Sequence, residues 1–459
     1  MYTVITLAAA LLFVFIYSVI FKSKDKDKHM KNLKILSLIF CVTGVVRMFL
    51  SDAFVETVLD SADVLQSILR WIYYVGYTVI PLSIFLDSRL LKNISVYFSL
   101  PVSLLCTVFF EDTFSYFTAE GANGFVLPIA LRYVFYIFEL TLSISIPLIT
   151  AIKLSHRFDI KSKEEIRNIV LALPAILLFV MPAYIPQSLI GYTDIDAKSF
   201  GAMHLAWIAV IIITCVALYL LFRKRSDKDK YNLCVFIALV ELIHTHSVFL
   251  RGFTISRIPL QLCCVSGFFY VIALAMKKRG LFDFCYLANT IGAVIAIALA
   301  SFSSEALTFW NVHYMQEHLY VFIVPVLTMA LHVFPRIERS AIKHTLVVFC
   351  IYFFSIFVIG TLINGLSNEE GYAVNYFYMF NYSVAISYLP FATFTGAWHI
   401  VIGSFEIYPI LVVTIFVLFS LLFILLYFLT QLIYKISDHI ENKKYAKKDN
   451  DNIDILTTV

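Results

Sequence analysis

The residues of this chain that could do chemistry are few, and most lie where they are costly to place. His204, Glu241, His244, His246, Gln261, Cys263, Cys264, Glu317 and His318 fall within or at the edges of apolar runs. Thiols, carboxylates and imidazoles are the groups of nucleophilic and general acid–base chemistry. Inside a bilayer an ionisable side chain costs about 2.5 kcal/mol or more unless paired, so each is a candidate functional residue. Residue type alone does not decide. A membrane cysteine is most often a small hydrophobe, and a histidine near a helix end is most often a hydrated interfacial group. His244, His246 and His313 read that way, with Trp310 as an aromatic-belt residue. Glu241 is harder to dismiss, because it falls well inside its run.

The elements that must hold these residues follow from composition. Of 459 residues, 61% are hydrophobic and 14% charged, with a mean hydropathy of +0.86. Soluble domains carry about 25% charged residues, and no water-soluble core could bury this much apolar surface. A soluble enzyme and a disordered chain are both excluded. The apolar runs are of helix-spanning length, about 20 residues, which excludes a barrel. The fold class expected is an all-α polytopic membrane helical bundle. About thirteen runs qualify, from 2–21 to 404–434, including 166–190 and 258–276. The stretch 376–400, broken by Pro390, reads as interfacial or re-entrant. The eight cysteines are scattered through apolar runs and predict no disulfide framework. The N-terminal run lacks a basic flank and a cleavage site, so it reads as a retained first helix.

Loop charges set an expected topology. Lys22–Lys34, 153–167, Arg223–Arg225, Lys277–Arg279, Arg336–Lys343 and Lys443–Lys444 fall on one side, which the positive-inside rule makes cytoplasmic. The N-terminus is then outside and the tail 436–459 is cytoplasmic and polar. This places His204, Glu241, Cys263 and His318 on four helices in the outer half of the membrane. A net charge of +4 says nothing about nucleic acid, and none is expected as a partner. Membrane lipids are.

The two halves also look alike. Asn32-Leu33 recurs as Asn232-Leu233, Ile80-Pro81-Leu82 as Ile258-Pro259-Leu260, and Pro147 as Pro325. An offset near 178 predicts two diverged repeats of about six and seven helices. At an offset of 178 Phe85 stands opposite Cys263 and Ser83 opposite Gln261, and at 179 Glu139 stands opposite His318. Residues 1–192 then form a degenerate first repeat, a surface for a membrane-protein partner, beside a domain at 198–435 that carries the candidate site.

Residues 198–435 resemble the YwaF-like integral membrane proteins, related to the transmembrane protein 164 phospholipid acyltransferases. The resemblance rests on six features in order. They are Phe200-Gly201-Ala202-Met203-His204-Leu205; Glu241; Ile258-Pro259-Leu260-Gln261-Leu262-Cys263; Leu281-Phe282-Asp283-Phe284; His318; and Asn364-Gly365 followed by Asn375-Tyr376-Phe377-Tyr378. There is one departure, Gln261 where the family has histidine. The resemblance implies an acyl-enzyme mechanism near the outer leaflet. Cys263 would be the nucleophile and His318 the base. Gln261, Asn375 or Tyr376 would donate to the oxyanion, with Glu241 and His204 in support. No cofactor and no metal are implied; His244 and His246, two residues apart, point to different helix faces. Two other readings stay open. A transporter or lipid translocator would fit internal repeats around a polar site, and a non-catalytic assembly subunit would fit the Gln261 departure.

Overall fold

The computed structural model describes residues 1–50, 64–110, 128–154, 197–246, 258–300, 305–366, 373–402 and 405–456, with isolated positions between 159 and 195 and at 302. It is predominantly helical. The helices are α1 (Tyr2–Ile20), α2 (Lys26–Leu50), α3 (Val64–Phe85), α4 (Arg89–Val108) and α5 (Ile129–Lys153). After them come α6 (Ala202–Phe222), α7 (Asp227–His246), α8 (Leu262–Met276), α9 (Arg279–Ala298) and α10 (Phe309–Ala330). Then follow α11 (Ser340–Leu366), the short α12 (Tyr382–Tyr388) and α13 (Pro409–Leu456). Among the described residues, seven helices are long and apolar enough to cross a membrane: α1, α4, α5, α6, α9, α11 and α13. Helical closure is what lipid demands, because no water is there to satisfy a backbone N–H or C=O. The face of α6 that carries Ile212, Ile213, Val216, Leu220 and Leu221 is exposed, as a lipid-facing helix requires. This is a multi-pass integral membrane protein.

Expectation and structure differ in places. The expected span 166–190 lies almost wholly outside the described residues. The chain from Tyr376 to Ala397 forms no spanning helix; two 3₁₀ segments flank α12. An all-α fold is expected, yet a small antiparallel hairpin follows, β1 (Ile400–Ile402) with β2 (Phe405–Ile407). The 436–459 tail, expected to be polar and mobile, continues α13 as helix to Leu456.

Helices α1–α5 and α6–α10 pack in the same order. In each group the first and second helices lie on the fifth, the second on the third, and the third on the fourth and fifth. α4 and α9 each open with six α-helical residues, pass through a five-residue π-turn (Ser95–Ser99; Cys285–Asn289) and close with nine. The residues just before them, Asp87 and Lys277, both adopt left-handed conformations (φ 47° and 51°). Here the matching offset is 190, not 178. Pro81 lies inside α3, whereas Pro259 precedes α8, so that sequence pairing does not correspond in space. Pro147 and Pro325 do occupy corresponding helices, α5 and α10.

Each group is closed by a buried carboxylate at its fourth helix. Arg279 Nε lies 2.7 Å from Asp283 on α9, and His344 Nδ1 of α11 lies 2.8 Å from the same carboxylate. In the first group Arg89 Nε and Asn93 Nδ2 both reach Glu165, at 2.7 and 2.6 Å. The groups meet where α7 touches α3. Asn232 donates to the Leu86 carbonyl at 3.1 Å, and Asp87 pairs with Lys92 and Lys228. Partial burial opposes the charge on Asp87, but the two lysines hold its carboxyl below the usual carboxylate range.

α7 and α8 approach closely at Gly267, where an added Cβ would sit 2.9 Å from the Leu242 Cα. Small residues let membrane helices touch backbone to backbone. Gly267→Val is therefore expected to lower stability by about 1–3 kcal/mol through overpacking. A thermal-unfolding comparison in nanodiscs checks this. Gly76→Ala, whose Cβ would meet nothing nearer than 3.8 Å, is the tolerated control.

Candidate active site

Cys263 and Cys264 sit in the first turn of α8, whose N-cap is Gln261. First-turn N–H groups have no intrahelical acceptor, and the positive end of the helix dipole favours an anionic sulfur. Glu317 and His318 come from the middle of α10. His318 Nδ1 lies 2.7 Å from the carbonyl of Tyr314, one turn earlier on its own helix. That carbonyl can only accept, so Nδ1 carries the proton. Nε2 is left as the acceptor, and His318 and Cys263 line one cavity. The Cys264 thiol donates to Glu317 Oε1 at 3.4 Å, and the two sulfurs are 3.9 Å apart. Cys263, Cys264 and Glu317 present three donor atoms within 4.8 Å of one another.

These groups form one end of a cavity of about 600 Å³, the size of a small-ligand site. The rest of its wall is mainly apolar, with Ile295 and Leu299 from α9 and Leu418, Phe419 and Leu422 from α13. Tyr378 and Tyr388, ring centroids 5.0 Å apart, line its mouth.

The loop above the sulfurs is held from three directions. Asn364 at the end of α11 accepts from the N–H groups of Ala373 and Val374 at 2.7 and 2.8 Å and donates to the Val374 carbonyl at 3.0 Å. Tyr376 and Tyr352 donate to the carbonyls of Ile258 and Leu260, at 3.2 and 2.6 Å. Gln261 makes two long contacts of 3.5 Å, to the Asn375 carbonyl and the Phe377 N–H. Phe377 and Tyr378 both take left-handed conformations (φ 53° and 61°), each a cost of about 1–3 kcal/mol that the surrounding bonds must offset.

The residues expected from sequence separate into groups. Cys263, His318 and Gln261 line the cavity. Glu241 lies behind α8, fully buried, and accepts a short hydrogen bond from Ser266. Asn375 and Tyr376 support the loop: the Asn375 carboxamide accepts from the Phe380 N–H at 3.0 Å, and the Tyr376 hydroxyl is committed to Ile258. His204 stands apart. Its Nδ1 accepts from the Phe200 N–H at 2.8 Å and its Nε2 donates to the Ile297 carbonyl at 2.7 Å. Both nitrogens are used in fastening α6 to the end of α9.

Cys264 and Glu317 stand among the costly residues of the sequence, yet sequence reading assigned neither a role beside their neighbours Cys263 and His318. It also took His244 and His313 for interfacial groups. Both are buried, with rings stacked at 4.7 Å, and His313 Nε2 lies 3.9 Å from Glu317. The signal was there in Glu317 itself, a carboxylate four residues from His313 within one apolar helix.

With this geometry in place, the comparison with known families is decisive for half of the chain. Residues 199–427 match the model of the TMEM164 family. The second half of the chain belongs to the TMEM164 family. The match runs from the start of α6 into α13 and so takes in every cavity-lining residue named above. No curated protein and no solved structure matches the chain.

Asn364 carries more of the TMEM164-family loop than any other side chain. Asn364→Ala leaves two buried N–H groups without an acceptor, a cost of about 1–3 kcal/mol each. The expected outcome is faster maleimide labelling of Cys263 and Cys264 as the loop loosens, measured by peptide mass spectrometry, in a protein that still purifies as a single species.

Proposed function

We propose that this protein is a membrane-embedded acyltransferase that moves an acyl chain from a phospholipid or related lipid ester through a Cys263 thioester. The observation that carries the reading is that Cys263 and His318, a thiol and an imidazole from two different helices, line the same largely apolar cavity. The His318 tautomer fits the task. Nε2 takes the thiol proton as sulfur attacks the ester carbonyl, and the ester C–O bond breaks to leave the thioester. His318 returns that proton to the departing lipid hydroxyl. An acceptor hydroxyl then gives its proton to His318, attacks the thioester and releases Cys263, which is reprotonated. First-turn N–H groups of α8 are suited to the oxyanion. The cavity's apolar wall suits the acyl chain.

Gln261 does not weaken the proposal. Its carboxamide engages the 375–377 loop, and the Cys–His pair is complete without it. Glu241 and His204 take supporting places in the scaffold.

We also read α1–α5 and α6–α10 as diverged copies, with α11–α13 added to the second. Shared packing order and matching π-turns support this. In that pairing Tyr73 corresponds to Cys263 at offset 190, and Glu139 to Glu317 at 178. Tyr73 donates to Glu139 at 2.9 Å, so the first copy keeps the carboxylate and lacks the thiol–imidazole pair. The positive-inside reading gives a cell-membrane protein with its N-terminus outside, its C-terminus cytoplasmic and the site in the outer half.

Intact-mass measurement of the protein in lipid, with and without hydroxylamine, tests the mechanism. Wild type is expected to carry a hydroxylamine-sensitive acyl adduct that Cys263→Ala lacks. His318→Gln is expected to slow its formation by about 10²–10⁴-fold. Full lipid remodelling by folded Cys263→Ala would refute the proposal.

A further inference from the structure

The cavity's polar end holds one sulfur more than a single thiol nucleophile requires. Cys264 follows Cys263 directly, and the two thiols meet Glu317 from another helix. Zn–S bonds are about 2.3 Å and Zn–O bonds about 2.0–2.2 Å, so a tetrahedral site has S···S edges of about 3.8 Å and S···O edges of about 3.5 Å. Here the S···S separation is 3.9 Å and Cys264 Sγ–Glu317 Oε1 is 3.4 Å. The third edge, Cys263 to Glu317, is within 4.8 Å and must shorten by at most about 1.3 Å. The cavity beside the three donors leaves the fourth position of a tetrahedron open to water.

We infer that Cys263, Cys264 and Glu317 form a three-ligand binding site for a borderline-soft divalent cation of the zinc type. Two thiolates disfavour magnesium and calcium, which take oxygen ligands. Two thiolates with a carboxylate suit zinc, whose fourth position water would fill from the cavity. Each thiol that ligates gives its proton to solvent, and no redox change is involved. The site has an entry path, since both sulfurs line the cavity. Bound zinc occupies the Cys263 sulfur lone pair, so it is a reversible brake on acyl transfer. That consequence rests on the acyl-transfer reading above; the binding itself does not.

The test uses full-length protein in nanodiscs, thiols reduced, stripped with EDTA and titrated with Co²⁺. One ion per chain is expected, with a thiolate-to-cobalt charge-transfer band and the intense visible bands of tetrahedral cobalt. Cys264→Ser and Glu317→Gln are each expected to weaken binding about tenfold or more. Cys215→Ser and Cys350→Ser, outside the cavity lining, leave it unchanged. Zn²⁺ should also slow maleimide labelling of Cys263 and Cys264 in wild type, a readout that needs no variant. No charge-transfer band in wild type, a band that persists in both site variants, or labelling indifferent to saturating Zn²⁺ would each overturn the inference. The hydroxylamine assay on EDTA-stripped protein is read separately. An adduct without the cobalt band sinks the metal site and leaves the transferase. The band without an adduct supports the metal site and counts against the transferase.

Discussion

The candidate site depends on a helix that stops early. α8 has 15 residues, about 22 Å at 1.5 Å per residue, against a hydrocarbon core of about 30 Å. A helix that begins below the membrane surface exposes its first N–H groups where no water can satisfy them. Irregular backbone is tolerated at that depth only when protein buries it or it lines a cavity. Both conditions are met here. The 373–378 loop lies over the N-terminus of α8, pinned by Asn364, Tyr352 and Tyr376, and the cavity opens beside it. The two sulfurs sit on the turn that this arrangement leaves free.

The same constraint accounts for why the first-turn sulfurs of α8 have no counterpart on α3. α3, the counterpart of α8 in the duplicated reading, runs for 22 residues, about 33 Å and enough to cross. It continues as helix through the level at which α8 begins. Tyr73 therefore lies within a helix whose backbone is already paired, and its hydroxyl bridges to Glu139 as a tie between α3 and α5. The carboxylate on the fifth helix of each group is thus a structural partner first. A shortened third helix would turn that tie into a site by giving it free N–H groups, a cavity and room for a nucleophile.

Much of this was legible in the sequence. Apolar runs of spanning length locate the helices because lipid leaves the backbone no other solution. Order and spacing from Phe200 to Tyr378 place the second half in its family. Cys263 and His318 stand out as costly groups in apolar runs, and they meet. Helix membership was legible; azimuth and register were not. His204 lies at the start of its expected helix but bonds to α9. Asn375 and Tyr376 lie beside the site, with their polar atoms committed to backbone groups. The repeat offset failed at Pro81 because α3 and α8 differ in length, so a proline late in one helix was matched with one before the other. Cys264 and Glu317, 53 residues apart, could be joined only by the packing of α8 on α10.

The cavity's asymmetry bears on how a lipid would sit. Gln261, Cys263 and Cys264 line it from the N-terminus of α8, while α9 and α13 supply apolar wall, Leu299 and Leu422 among it. On the acyl-transfer reading an ester carbonyl belongs at the sulfurs and its chain along those leucines. The headgroup then remains at the Tyr378–Tyr388 mouth. α13 thereby becomes part of the site while contributing no reactive group, since its apolar face decides which chains fit. Its position is fixed far from the sulfurs, where Arg336 on the α10–α11 connection grips Asp438 with two bonds of 2.7 and 3.0 Å and lies 4.9 Å over the Tyr434 ring. A contact at the opposite end of a rigid helix can therefore set the width of an acyl channel, because a helix anchored there cannot tilt away from α9 without breaking a bidentate ion pair.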